Sequence, residues 1–179
     1  MKRVIIESEA IQRMLTRMSH EIIEGNSLEE VVLVGIKTRG IYLAKRLQQK
    51  IAQLSGTEVA IESLDIEFYR DDLERKSLDP ISKAPNFKTT LQNKLIIIVD
   101  DVLYTGRTVR AAIDAIMDVS RPKAIRLAIL VDRGHRELPI RADYIGKNLP
   151  TAQSEIIKVL LREVDDNEAI VLSNQAESF

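Results

Sequence analysis

The sequence predicts a single α/β domain built on a mostly parallel central sheet, and three observations predict it. Leu95-Ile96-Ile97-Ile98-Val99 is an unbroken apolar run rich in β-branched residues, as expected of a strand buried on both faces. Strand-like and helix-like segments alternate along the chain, the order that gives parallel strands joined by helical crossovers. The 179 residues suffice for one substantial core, and neither a repeat nor a linker marks a second domain.

Residues 8–24 read as an amphipathic helix with Ile11, Leu15, Met18 and Ile22 on one face. Val31 to Ile36 reads as a short buried strand, and Lys37-Thr38-Arg39-Gly40 as the turn after it. A helix is expected from Ile41 to Leu54, with Leu43, Leu47, Ile51 and Leu54 on its apolar side. Residues 58–68 alternate weakly and read as a strand. Residues 71–90 are polar, contain Pro80 and Pro85 and show no period, the signature of an active-site cover or a disordered loop. A strand at 94–99 and a helix at 107–118 follow, the helix carrying Val109, Ala112, Ile113, Ile116 and Met117 at helical spacing. Strands at 124–131 and 156–164 frame a segment, rich in Arg and Pro, that reads as irregular.

Composition removes several function classes. There is no cysteine, so disulfides, thiolate nucleophiles and zinc–thiolate sites are excluded. The two histidines, His20 and His135, are too few and too far apart to suggest a metal cluster. No apolar run approaches a membrane span of ~20 residues, and Glu7 interrupts the N-terminal apolar stretch too early for a secretory signal. A cytoplasmic location without membrane attachment is therefore expected. Net charge is −1, yet Arg121 to Lys147 holds seven basic residues against three acidic ones, and Arg162 onward holds one against five. Such segregation permits a basic face on a nearly neutral protein.

The chemistry concentrates after the apolar strand, in Asp100-Asp101-Val102-Leu103-Tyr104-Thr105-Gly106-Arg107-Thr108. Ligands of parallel sheets sit at the carboxyl ends of the strands. The turn from Thr105 to Thr108 precedes a helix whose free N–H groups and positive dipole end favour a phosphate. Gly106 permits a close backbone approach. Two carboxylates beside a phosphate are poor ligands for it but good acceptors for sugar hydroxyls. Taken alone, two acids and a Thr-Gly turn also serve as ordinary punctuation of a β–α connection. Neither G-x-G-x-x-G nor G-x-x-x-x-G-K-[ST] occurs, so dinucleotide and P-loop readings lose.

At these residues the chain resembles the type I phosphoribosyltransferases, and more closely the PyrR family of pyrimidine-operon attenuators that are also uracil phosphoribosyltransferases. The resemblance runs from Val4 to Leu172 and is carried by Leu15-Thr16-Arg17-Met18-Ser19-His20-Glu21, Val34-Gly35-Ile36-Lys37-Thr38-Arg39-Gly40-Ile41-Tyr42-Leu43 and Tyr69-Arg70-Asp71-Asp72-Leu73. The stretch from Asp100 to Thr108 and that from Leu130 to Asn148 complete it. The chain departs most in residues 74–90 and after Leu172, where nothing is carried over.

The resemblance implies a type I phosphoribosyltransferase fold with a small hood near Arg133 and residues 143–146. It also implies Mg²⁺-dependent transfer of ribose 5-phosphate from 5-phosphoribosyl-1-pyrophosphate (PRPP) to uracil, giving UMP. Asp100, Asp101 and Arg39 would be catalytic. PRPP would be held by Lys37, Thr38, Arg39, Gly40 and Arg70, by the two aspartates, and by Val102, Leu103, Tyr104, Thr105, Gly106, Arg107 and Thr108. The magnesium ion would arrive with PRPP rather than in a protein cage. Uracil would meet Arg133, a stacked Tyr144 and the backbone of Ile145. Arg13, Thr16, Arg17, His20, His135, Arg136, Arg141 and Lys147 would contact leader mRNA, and the assembly would be a homodimer or larger. From the residues alone, Tyr144 reads equally as core, Arg70 as a solvated loop arginine and both histidines as surface or capping residues. Two alternatives stand beside this reading: a purine salvage phosphoribosyltransferase without RNA activity, and a nucleotide-sensing RNA regulator with negligible turnover.

Overall fold

A computed structural model describes residues 2–67, 69 and 84–174. Five strands form a wholly parallel sheet: β2 (Val31–Ile36), β3 (Ala60–Leu64), β4 (Leu95–Leu103), β5 (Ala124–Asp132) and β6 (Tyr144–Asn148), in the order β3-β2-β4-β5-β6. Helix α1 (Ser8–Gly25) and α2 (Arg39–Ser55) cover one face, and α3 (Arg107–Val119) packs on the other. Alternate residues of β4 serve the two layers. Leu95, Ile97 and Val99 join Leu15, Met18, Leu43 and Leu47, while Ile96 and Ile98 join Val109, Ala112 and Ile116. Both faces of this strand are dry, which explains why it lacks any polar alternation.

The helices lie close to their expected spans, and their predicted stripes are buried apart from the partly buried Ile113 and the last members in α2 and α3. Leu54 and Met117 are exposed at the ends of α2 and α3. The strands differ more. The strand expected over 58–68 is only β3, after which Asp65, Ile66 and Glu67 turn toward the carboxyl edge. β4 continues past Asp101 because its pairing with β5 runs on through Val102 and Leu103, while Asp100 Oδ1 accepts the Asp101 amide and Asp101 Oδ1 the Val102 amide, both at 2.9 Å. The strand expected over 156–164 is β7 (Glu155–Leu160), followed by the one-turn helix α4 (Arg162–Asp165). Part of the segment read as irregular is the edge strand β6.

The hood lies near Arg133, which donates to the Glu155 carbonyl at the start of one of its strands, but residues 143–146 are not part of it. Residues 143–146 belong to the entry and body of β6 in the main sheet. The smaller layer is an antiparallel sheet of β1 (Arg3–Glu7), β8 (Ala169–Asn174) and β7, in the order β1-β8-β7. An ionic cluster ties it to the helices. Buried Glu168 accepts from the Ser8 hydroxyl and from Arg46, whose guanidinium also grips Glu163 at 2.7 and 2.8 Å. Burial alone would raise the Glu168 carboxyl, but these hydrogen bonds and the Arg46 charge hold it below the usual glutamate value of 4.5. A lowered carboxylate stabilises the fold above that value and loses its contribution as pH falls below it. Thermal unfolding followed by circular dichroism should therefore lose stability on acidification below pH 4.5, and Glu168→Gln should flatten that slope. An unchanged slope would remove the cluster from the acid response.

Candidate active site

The carboxyl ends of β2 and β4 open into a cleft of about 310 Å³ lined by Lys37, Thr38, Arg39, Asp65, Glu67, Asp100, Asp101 and Thr108 among others. Two glycines make this possible. A Cβ on Gly35 would stand 2.6 Å from the Gly40 carbonyl oxygen, and one on Gly40 would collide with the carbonyl oxygen of Val99. The first turn of α2 therefore lies backbone against backbone on β2 and β4, which brings the 37–40 turn to the aspartates. The peptide bond between Lys37 and Thr38 is cis.

Two anion seats face this cleft. One is the 37–40 turn: Lys37 Nζ lies 2.9 Å from Asp65 Oδ2, and Arg39 Nη2 donates to Asp165 of α4. The other is the start of α3, where Gly106 takes a left-handed φ of 94° and the Thr105 hydroxyl oxygen accepts the Arg107 amide at 3.3 Å. The positive end of the helix and its first-turn N–H groups favour an anion there. Between the seats lie Asp100, only 8% exposed, and Asp101. Burial pushes the Asp101 carboxyl up, opposed in part by its hydrogen bond with Asp100, the Val102 amide and the charge of Arg39.

The segment after β5 clasps the 104–107 turn. Glu137 and Leu138 donate their amides to the Thr105 carbonyl at 2.9 and 3.2 Å, and Arg107 Nε meets Glu137 Oε2 at 2.7 Å. Arg136 donates to the Tyr104 carbonyl, the Ile140 carbonyl and Asp132 Oδ2 at 2.6–2.8 Å. His135 and Arg136, expected at mRNA, lie in this segment, and Arg136 spends three guanidinium donors on the turn. His135, at a left-handed φ of 59°, is pinned to the Thr151 carbonyl.

Tyr144 does not reach the cleft, contrary to expectation. It is 6% exposed in the core at the amino end of β6, and its hydroxyl is bonded to Asn26 at 2.9 Å and Arg126 at 3.1 Å. The Ile145 carbonyl accepts from Arg17 of α1 at 3.0 Å. Arg133 is buried and donates to Thr151 at 3.1 Å and to the Glu155 carbonyl at 2.8 Å. Its guanidinium lies 4.0 Å from the ring centroid of Tyr104. Tyr104, read in the sequence only as part of the phosphate turn, is the exposed aromatic at this edge, at 39%. Arg70 lies outside the described residues.

The remaining residues expected at mRNA fall into two groups. Arg13, His20, Arg141 and Lys147 are exposed, and Arg13 and Lys147 line one shallow groove. Arg17 joins them across the Ile145 and Gly146 carbonyls, while Thr16 is half-buried and holds Lys50 at 3.1 Å. Among the described residues no three His, Asp or Glu side chains form a metal cage. The donors in the cleft are carboxylate oxygens, which fit a hard cation that keeps most of its ligands from phosphate and water. Among the described residues no helix is long and apolar enough to cross a membrane.

The chain matches the model of the phosphoribosyl transferase domain over residues 5–163. It is 55% identical to the Bifunctional protein PyrR of Bacillus pumilus over 174 residues, covering 96% of this chain and 97% of that one. The Bifunctional protein PyrR of Bacillus subtilis is also 55% identical, covering 96% of each chain. Among solved structures, a hypoxanthine phosphoribosyltransferase from Staphylococcus aureus superposes with a TM-score of 0.71, covering 99% of this chain and 94% of that one. At 19% identity that likeness shows the fold alone. A five-stranded parallel sheet with its cleft at the carboxyl edge, the matched domain and near full-length identity above one half converge: this chain belongs to the phosphoribosyltransferase family and, within it, to the PyrR proteins.

Proposed function

We propose that this chain makes UMP and pyrophosphate from uracil and PRPP, and that it binds pyrimidine-operon leader mRNA in a UMP-dependent manner to favour transcription termination. The observation that carries the first half is the placement of Asp100 and Asp101 in one cleft between two anion seats. That spacing suits a sugar with a phosphate at one end and a pyrophosphate at the other. The start of α3 takes the 5′-phosphate, and Lys37, Thr38, Arg39 and Gly40 take the pyrophosphate. The aspartates accept the ribose hydroxyls. In the reaction the bond from C1′ to pyrophosphate oxygen breaks and its electron pair leaves with the pyrophosphate. Uracil N1 donates the pair for the new bond and gives up its proton. Positive charge grows on the ribose meanwhile, and the adjacent carboxylates stabilise it, so catalysis is chiefly electrostatic and positional. Mg²⁺ brought by PRPP would lie nearest Asp100 and Asp101 and would neutralise the leaving group.

The base must attach to a ribose held between Asp101 and Thr105, and Tyr104 is the aromatic surface in that interval. Arg133 backs one face of its ring, so the base stacks on Tyr104 rather than on Tyr144. Tyr104→Ala should raise KM for uracil about tenfold, within the ~1–3 kcal/mol of base–aromatic stacking, and leave KM for PRPP largely unchanged. A parallel rise in both constants would make Tyr104 a part of the phosphate turn only.

The RNA half rests on the exposed set Arg13, Arg17, His20, Arg141 and Lys147 and on relatives named for two functions. Phosphate contacts by such residues give binding that weakens steeply with salt. The test joins both halves: formation of the corresponding nucleoside 5′-monophosphate from uracil, hypoxanthine or guanine with PRPP and Mg²⁺, and titration of a leader hairpin with and without UMP across a salt series. UMP from uracil alone, with salt-sensitive binding strengthened by UMP, is the expected result. Product from hypoxanthine would turn the reading to purine salvage, and RNA binding without turnover would leave a nucleotide-sensing regulator.

A further inference from the structure

Arg39 is held from outside its own loop. Its Nη2 donates to both carboxylate oxygens of Asp165, at 2.7 and 3.0 Å, and the two side chains are 24% and 13% exposed. Asp165 is itself fixed. Its Oδ2 accepts the Leu161 amide at 3.0 Å, and its own amide donates to the Leu161 carbonyl at 2.7 Å. Lys158 stands at 4.0 Å on its other side. Burial alone would raise the Asp165 carboxyl, but the Leu161 amide and Arg39 hold it below the ordinary aspartate value.

The geometry on the Arg39 side is one-sided. Nη2 is engaged by the carboxylate, Nε is buried without a hydrogen-bond partner, and the residue lines the cleft. A guanidinium offers five donors in a rigid plane, so fixing one edge fixes the direction of the rest. Without that anchor the side chain would sample several rotamers and lose the preorganisation that strengthens anion binding. The anchor comes from α4, between the two strands β7 and β8 of the hood, not from either strand that carries the cleft.

We infer that Asp165 is a positioning residue: it aims the Arg39 guanidinium at the pyrophosphate end of the cleft without touching the ligand. This rests on the phosphoribosyl-transfer reading above. The competing role is bracing α4 through Leu161, which would affect the fold and only incidentally the ligand.

A double-mutant cycle on Mg-pyrophosphate binding separates the two roles. Calorimetry on the full chain would compare the parent, Asp165→Asn, Arg39→Ala and the double variant. We expect Asp165→Asn to weaken binding about tenfold, a change of about 1.4 kcal/mol. In the Arg39→Ala background the same substitution should cost nothing further. Asp165→Glu, which keeps the charge, should restore most of the affinity, and it carries the test if the Asn variant fails to fold. In turnover, Asp165→Asn should raise KM for PRPP while leaving KM for uracil unchanged. Unchanged pyrophosphate affinity in Asp165→Asn, or an equal loss with and without Arg39, would overturn the inference. A parent chain that neither binds Mg-pyrophosphate nor forms UMP would overturn the phosphoribosyl reading itself, and it is recognised without any variant.

Discussion

Asp100→Asn is expected to lower UMP synthesis by about a hundredfold or more, about 2.7 kcal/mol of transition-state stabilisation, with leader-RNA affinity largely retained. Asp100 is buried at the end of the sheet, where its Oδ1 already accepts the Asp101 amide. The amide of asparagine reproduces that bond through its own oxygen but removes the charge facing the ribose. The fold should tolerate it, because the variant side chain has the same shape. Steady-state kinetics and an RNA titration on the same preparation would check it. Equal loss of both activities would mean that one surface serves both, and separate faces would have to be abandoned.

Gly40→Ala should damage stability and substrate binding together. The new methyl would occupy space filled by the Val99 carbonyl, and a backbone atom in a central strand cannot swing aside as a side chain can. Overpacking of this kind costs ~1–3 kcal/mol or more, and each kcal/mol lowers Tm by about 2–4 °C in a domain of this size. Helix α2 would have to lift from β4 and carry Lys37, Thr38 and Arg39 away from the aspartates. Calorimetric unfolding and KM for PRPP should therefore move in concert. A variant with parental Tm and parental KM for PRPP would show that this close contact is not needed to assemble the cleft.

The sequence and the structure agree where information is local. The buried strand before Asp100, the helical stripe of Ile11, Leu15, Met18 and Ile22, and the turn into α3 follow from periodicity and from the chemistry of strand ends. Residues 143–146 were misassigned to the hood because its pairing is not local: Arg3 meets Leu172 across the length of the chain, and no window of sequence contains both. Edge strand β6 was missed because its residues Tyr144-Ile145-Gly146-Lys147-Asn148 show no apolar run and follow a stretch of Arg and Pro. The stacking residue was assigned to Tyr144 from a motif, whereas exposure depends on which end of β6 it occupies. The anchoring of Arg39 by Asp165 has no sequence signal at all, since the partners lie 126 residues apart.

The order β1-β8-β7 sets a timetable for synthesis. The central strand of the hood, Ala169–Asn174, is made after every other described element. Domains fold as they emerge from the ribosome, and the parallel sheet with its aspartates can assemble while the hood still lacks its middle strand. During that interval β1 and β7 are separate edges with open hydrogen-bonding groups, the kind of surface on which neighbouring nascent chains join.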